Sequence, residues 1–109
     1  MRYVGVRIQF EVQSEGDLME FARNAGVTDA DGMVRLIENI DDAAERHPRL
    51  PTPTYIDDGD NLRRGDVVRV PYGKNFFPIG VVVGESAPED GITYKPIRNI
   101  VARATDYSE

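Results

Sequence analysis

The sequence predicts an α+β domain in which a small curved β-barrel carries two helices inserted after its first strand. The period of the apolar residues switches from 2 to 3.6 near residue 14 and returns to 2 near residue 54. The β-branched run at residues 79–83 is too apolar to be a solvated strand. We expect residues 1–109 to form a single domain, because a chain of this length can bury a core without disulfides or a metal.

Residues 1–13 predict the first strand, because apolar side chains alternate with mainly polar ones over this stretch. A two-helix excursion is predicted over residues 14–47. Ser14, with Asp17 three residues later, resembles a capping box that begins the first helix. Gly26 is placed to end this helix in a left-handed conformation. The apolar positions at helical spacing are Leu18, Phe21, Ala22 and Ala25.

A second, longer helix is predicted from Asp29 to Arg46. A repeated capping signal at residues 28–31 begins it, and Pro48 ends it because proline disfavours a helical conformation in the preceding residue. Residues 47–53 form an extended connector that is too short to separate two independent cores. The apolar stripe of this helix consists of Ala30, Met33, Val34, Ile37, Ile40 and Ala44.

The centre of the predicted barrel is a β-hairpin over residues 65–84. Pro71 cannot donate to a strand ladder, so it ends the first strand of the hairpin. Gly80 and Gly84 indicate a bulge, a tight bend or a close backbone approach, which a small, strongly curved barrel requires. A last strand is predicted over residues 92–104, with Pro96 as the position of a bend.

One pattern in this hairpin is specific. The turn RVPYGK ends its first strand, IGVVV follows at a fixed distance, and Lys95 lies further along the chain. This pattern resembles the N-terminal DNA-binding domain of the replication-restart helicase PriA, and the resemblance covers residues 53–103. The predicted barrel portion itself comprises residues 54–105. The resemblance implies a small SH3-like β-rich module that receives the 3′ end of a nascent DNA strand. It also implies that Gly73 and Lys95 lie at the 3′-end pocket and that Thr54 and Tyr55 lie near it.

The residues themselves indicate a single-strand-binding surface around the turn. Such surfaces combine a few cations with aromatic rings on which bases stack, and a glycine allows close approach to the backbone. An alternative is that Phe76 or Phe77 packs on the barrel and Lys74 lies on an ordinary turn. The cluster consists of Arg69, Tyr72, Gly73, Lys74, Phe76, Phe77 and Lys95. The predicted nucleic-acid-binding residues leave out the two phenylalanines and add the two residues that the resemblance implies; they are Thr54, Tyr55, Arg69, Tyr72, Gly73, Lys74 and Lys95.

Two hypotheses on function follow. The first is a non-enzymatic accessory module that binds single-stranded or 3′-end DNA in replication or repair, such as a phage or mobile-element protein. The second is a protein–protein adaptor that uses the barrel and two acidic helices, which the net charge of −6 favours. Convergence on one face with Tyr72 of four cations, Arg69, Lys74, Lys95 and Arg98, favours the first hypothesis. Scattered cations with an exposed phenylalanine patch favour the second.

Composition narrows the alternatives further. The chain has no cysteine, which excludes thiol catalysis and disulfides, and no Walker-type phosphate loop, which excludes helicase activity. The acids at residues 29–31 and 57–61 are typical of caps and turns rather than of a metal site. His47, the single histidine, has no recognisable nucleophile partner. We therefore expect no enzyme activity, no cofactor, no metal and no membrane span, in a cytoplasmic protein.

Overall fold

The computed structural model describes residues 2–9, 14–43 and 53–103. Over these ranges the chain forms a small α+β domain with two helices and a curled, five-stranded antiparallel half-barrel. No helix in these ranges is both long enough and apolar enough to cross a membrane. The elements in chain order are β1 (Arg2–Gln9), α1 (Glu15–Asn24), α2 (Ala30–Ala43), β2 (Thr54–Asp57), β3 (Val67–Arg69), β4 (Ile79–Glu85) and β5 (Asn99–Ala102).

The strand order in the sheet is β2-β1-β4-β3-β5, and every pair is antiparallel. The segment before β5 returns to the opposite edge of the sheet. There the Ile56 N–H donates to the Lys95 carbonyl (2.8 Å), and the Ile97 N–H donates to the Ile56 carbonyl (3.2 Å). These contacts surround an isolated parallel bridge between Ile56 and Pro96. The sheet curls because one chain segment contacts β2 and then continues as β5.

The half-barrel is buried on both faces. Along β4, successive side chains alternate, so Ile79 and Val81 face the helices while Val82 faces the inside of the curl. In β3, Val67 and Val68 divide between the two faces in the same way. The helix-side cluster is Leu18, Ala22, Met33, Val34, Ile37, Val67, Ile79 and Val81; the inner cluster is Val4, Val6, Ile8, Tyr55, Leu62, Val68, Val70, Val82 and Ile97.

The local signals at α1 are confirmed, with two corrections: Phe21 and Ala25, both predicted on the apolar stripe, are exposed. The Ser14 hydroxyl accepts from the Asp17 N–H at 3.2 Å, and Gly26 has a left-handed φ of 74°. Leu18 and Ala22 are buried in the helix-side cluster. Phe21, in contrast, is 52 % exposed. The buried stripe of α1 is narrow, and the position three residues after Leu18 lies on its flank.

The second helix also begins as predicted. The Asp29 carboxylate accepts from the Gly32 N–H at 2.7 Å, and Met33, Val34 and Ile37 of the predicted stripe are buried. Several predicted features lie outside the described residues or side chains. These are residues 10–13 of the first strand, the side chain of Ile40, Ala44, the helix end at Arg46, the connector up to residue 52, and residues 104–105.

The prediction of one strand over residues 92–104 was wrong. Of residues 92–103, which the structure describes, only Asn99–Ala102 are strand, and residues 92–98 form none beyond the single bridge at Pro96. This segment crosses from beside β2 to beside β3, so it cannot keep one strand partner along its length. Pro96 also lacks the N–H that a continuous ladder would need.

The predictions for the hairpin glycines are confirmed. Gly80 lies so close to β1 that an added Cβ would overlap the Val6 side chain and lie 3.1 Å from the Arg7 carbonyl oxygen. Gly84 has a φ of 148° and lies where the register between β1 and β4 shifts. Because Gly84 pairs with Gly5 and Val82 with Val6, one residue of β4 is extra. A bulge of this kind bends the strand.

The close approach at Gly80 predicts a specific loss of stability. Gly80→Ala should lower the free energy of unfolding by about 1–3 kcal/mol, because the new methyl group has no space. Gly16→Ala is the matched control. Nothing lies within 4 Å of a Cβ at this α1 position, so this variant should be as stable as wild type or slightly more so. Urea unfolding followed by circular dichroism measures both, and equal stability of the two variants would contradict the packing described.

Candidate nucleic-acid interface

The loop between β3 and β4, residues 71–78, presents three aromatic side chains to solvent; we call it the aromatic loop. Tyr72, Phe76 and Phe77 are 42 %, 47 % and 37 % exposed. The Tyr72 N–H donates to the Phe76 carbonyl at 2.9 Å, and their rings meet edge to face with centroids 6.4 Å apart. Gly73 and Asn75 both have left-handed φ values, 73° and 61°, which allow the chain to turn this tightly. The loop therefore has a defined shape while its rings remain accessible.

Three cations belong to this surface. The Arg98 guanidinium lies 5.3 Å from the centroid of the Phe77 ring, a cation–π contact. Arg69 donates through Nη1 to the Phe77 carbonyl at 2.7 Å, and its own carbonyl accepts from the Arg98 N–H at 2.9 Å. Lys74 is exposed at the tip of the loop. The structure thus joins Arg69 to Arg98, which is distant from it in sequence, through Phe77 and the β3–β5 pairing.

The sequence around this surface contains no acid. Residues 69–84 and 92–104 include five Lys or Arg and no Asp or Glu. Pairing of β3 with β5 brings these two stretches together. Of these five cations, Arg69, Lys74 and Arg98 belong to the aromatic loop and its neighbours, whereas Arg103 donates to Asp66 at the other end of β3. Arg98 is absent from the predicted site residues, although the sequence groups it with the cations that could converge with Tyr72.

Tyr55 lies below the aromatic loop rather than on its surface. Its side chain belongs to the inner cluster, and its hydroxyl donates to the Pro71 carbonyl at 2.9 Å. Burial raises the pKa of the Tyr55 phenol above its ordinary value near 10, and the neighbouring Tyr72 raises it further. Tyr55 therefore contacts the first residue of the loop from inside the curl.

The other two predicted residues make their hydrogen bonds with other parts of the barrel. The Thr54 hydroxyl is 2.8 Å from the Ser86 hydroxyl, beyond the end of β4 that is remote from the aromatic loop. Lys95 has an exposed side chain, and its backbone carbonyl accepts from Ile56 of β2. Of the seven predicted residues, the structure groups Arg69, Tyr72, Gly73 and Lys74 with Phe76, Phe77 and Arg98.

The acids of the barrel portion include two buried carboxylates at the other end of β3. Asp57 is 4 % exposed, and its carboxylate accepts from the N–H groups of Asp60 and Leu62, both at 3.0 Å. Arg2 also donates to this carboxylate at 3.0 Å. These bonds shape residues 58–66, which we call the acidic loop. The interpretation of Asp57 as a turn-forming residue is confirmed.

The second buried carboxylate belongs to Asp66, which is 1 % exposed. It accepts from the Arg63 N–H at 2.9 Å and from the Arg103 guanidinium at 3.1 Å. Arg103 additionally donates to the Asp60 carbonyl at 2.8 Å. Both buried acids therefore serve the acidic loop. In the ranges 2–9, 14–43 and 53–103, no three His, Cys, Asp or Glu side chains are arranged to hold a metal ion.

Comparison with protein-family models, with curated proteins and with solved structures finds no match to this chain.

The buried phenol predicts a change of stability with pH. Tyr55→Phe should lower the free energy of unfolding near neutral pH by about 0.5–1.5 kcal/mol, because the Pro71 carbonyl loses its donor. The folded-state pKa of Tyr55 lies above 10, so its contribution is complete below pH 10 and is lost as the pH rises through the folded-state pKa. The difference between wild type and variant should therefore shrink as the pH rises above about 10. Urea unfolding across this range measures it, and a pH-independent difference would contradict the assignment.

Proposed function

We propose that this chain is a non-enzymatic accessory module that binds single-stranded DNA through the aromatic loop and Arg98. The observation that carries the proposal is the display of three exposed aromatic rings on one loop, together with Lys74 and a cation–π contact from Arg98. Single-strand binders use this combination, because every base can stack on a ring and the cations contact the backbone. Arg98 and Phe77 are two planar groups in contact, a guanidinium and an aromatic ring, and a base can stack on either kind of group.

The modest number of cations favours a single strand over a duplex. Duplex binders neutralise many phosphates, whereas Lys74, Arg98 and Lys95 provide at most a few contacts. The net charge of −6 adds long-range repulsion from any nucleic acid. Stacking must then supply most of the affinity, which is consistent with the number of aromatic rings on the aromatic loop.

We further propose that the half-barrel is SH3-like and that the preferred ligand is a 3′ end, as the resemblance to PriA implies. Gly73 and Lys95 would then line the pocket. The surroundings of Gly73 support this role, because nothing lies within 4 Å of a Cβ built there and a nucleotide has room to approach the backbone. Such a module would act in replication or repair in the cytoplasm.

A protein–protein adaptor is the second candidate. Phe76 and Phe77 are adjacent, exposed phenylalanines, and an exposed apolar patch is also typical of protein-binding sites. The two candidates differ in their ligand but share the aromatic loop.

The first test is titration of a labelled single strand of about 12 nucleotides with the protein at about 50 mM salt. Phe76→Ala should weaken binding by about 1–3 kcal/mol, because one stacking surface is lost. Phe21→Ala is the matched control, because Phe21 is similarly exposed but lies on α1. The Phe21→Ala variant should bind the strand with the affinity of wild type. Absence of binding by wild type would contradict the proposal and favour the adaptor.

The second test concerns the 3′ end. Lys95→Ala should weaken binding to a strand with a free 3′ hydroxyl by about 1.5–3 kcal/mol, through loss of one charge-assisted contact. A strand with a blocked 3′ end should bind wild type more weakly and should show no further loss with Lys95→Ala. The slope of log affinity against log salt should be shallow, about −0.7 to −2, as expected for one to three phosphates. Equal affinity for free and blocked strands would restrict the function to general single-strand binding.

A further inference from the structure

We propose that Tyr55 and Arg69 are positioning residues that fix the two ends of the aromatic loop in its binding conformation without contacting the bound strand. This inference rests on the proposed function and assigns to both residues a role different from direct nucleic-acid contact.

Tyr55 fixes the first end of the loop. Its hydroxyl donates to the carbonyl of Pro71, the first loop residue, at 2.9 Å. The Tyr55 side chain is only 6 % exposed and packs among the inner cluster, so its ring is unavailable to a base. This hydrogen bond holds Pro71, the residue before Tyr72, at a fixed position relative to β2.

Arg69 fixes the second end. Its Nη1 donates to the carbonyl of Phe77 at 2.7 Å, and its backbone carbonyl accepts from the Arg98 N–H at 2.9 Å. A guanidinium that donates to a carbonyl of its own hairpin has fewer donors left for phosphate. The two Arg69 contacts place Phe77 and Arg98, the members of the cation–π pair, beside each other.

The two contacts act on a loop that two backbone bonds also close. The Val70 N–H donates to the Pro78 carbonyl at 3.2 Å, and the Tyr72 N–H donates to the Phe76 carbonyl at 2.9 Å. Exposed loops lose conformational entropy when they bind, and fixing the bound shape in advance removes part of that cost. Tyr55 and Arg69 therefore raise affinity by ordering the rings, while phosphate contacts come from Lys74 and Arg98.

The experiment compares three variants, Tyr55→Phe, Arg69→Met and Lys74→Met, in the full chain. Hydrogen exchange of the Tyr72 amide, measured by NMR without DNA, reports loop order; the Val82 amide, which donates to the Asp66 carbonyl at 2.9 Å, reports the sheet. Titration with the same labelled strand at several salt concentrations reports phosphate contacts through the salt slope.

Positioning predicts a distinct pattern. Tyr55→Phe and Arg69→Met should speed exchange at Tyr72 by roughly 2- to 10-fold, leave Val82 unchanged and weaken binding by a similar factor. The salt slope of Arg69→Met should equal that of wild type. Lys74→Met, the matched loss of one cation, should make the slope shallower by about 0.7 and leave Tyr72 exchange unchanged.

Three results would overturn the proposal. One is a shallower salt slope for Arg69→Met with unchanged Tyr72 exchange, which would make Arg69 a phosphate contact. Another is wild-type Tyr72 exchange in both positioning variants. The third is equal acceleration at Tyr72 and Val82, which would indicate general destabilisation. If wild type fails to bind the strand, the proposed function fails, but the exchange comparison still decides whether Tyr55 and Arg69 order the loop.

Discussion

Strand β4 must be buried on both faces, and the rest of the domain follows from this constraint. It lies between β1 and β3, with Ile79 and Val81 on one face and Val82 on the other. Neither face can be left to water without losing much of the apolar burial that stabilises a small domain. The helices cover the first face, and the curl of the sheet covers the second. Gly80 permits this arrangement because β1 approaches it more closely than a side chain would allow.

The two buried carboxylates of the barrel portion lie at the end of β3 opposite to the aromatic loop. The loops at the two ends of β3 differ in kind: the acidic loop precedes the strand, and the aromatic loop follows it. The carboxylates of Asp57 and Asp66 are desolvated, which is tolerable because each accepts backbone N–H groups and an arginine. These acids act in shaping a loop. The aromatic loop follows the opposite end of β3, and there Lys74 and the three aromatic rings remain exposed.

A defined loop shape connects the fold to the proposed activity. Side chains from β2 and β3 reach the carbonyls at the two ends of the aromatic loop, so the rigid sheet determines where the rings lie. Binding surfaces of this kind are commonly loops placed by a rigid scaffold. The chain needs few contacts with its ligand when the contacting groups are already ordered. Under the proposed function, this acidic chain would bind a polyanion through Lys74, Arg98 and the exposed rings rather than through its overall charge.

Local signals were the part of the fold that the sequence could predict. Ser14, Asp29 and Gly26 define helix ends through their own backbone bonds, and alternating residues define the strands, because these rules involve near neighbours. The extent of the last strand was not predictable in this way, since Pro96 and its neighbours contact β2, which is about forty residues away in sequence. Residue types at the aromatic loop also indicated a binding surface.

The sequence by itself therefore determined the element order, the caps, the buried hairpin and the concentration of rings and cations near Tyr72. Tertiary structure alone decided which of these groups share a surface. It placed Arg98 on Phe77, turned Tyr55 inward and joined Thr54 to Ser86 away from the aromatic loop. The physical reason is that strand alternation sends neighbouring residues to opposite faces, while curling of the sheet brings together residues that are far apart in the chain.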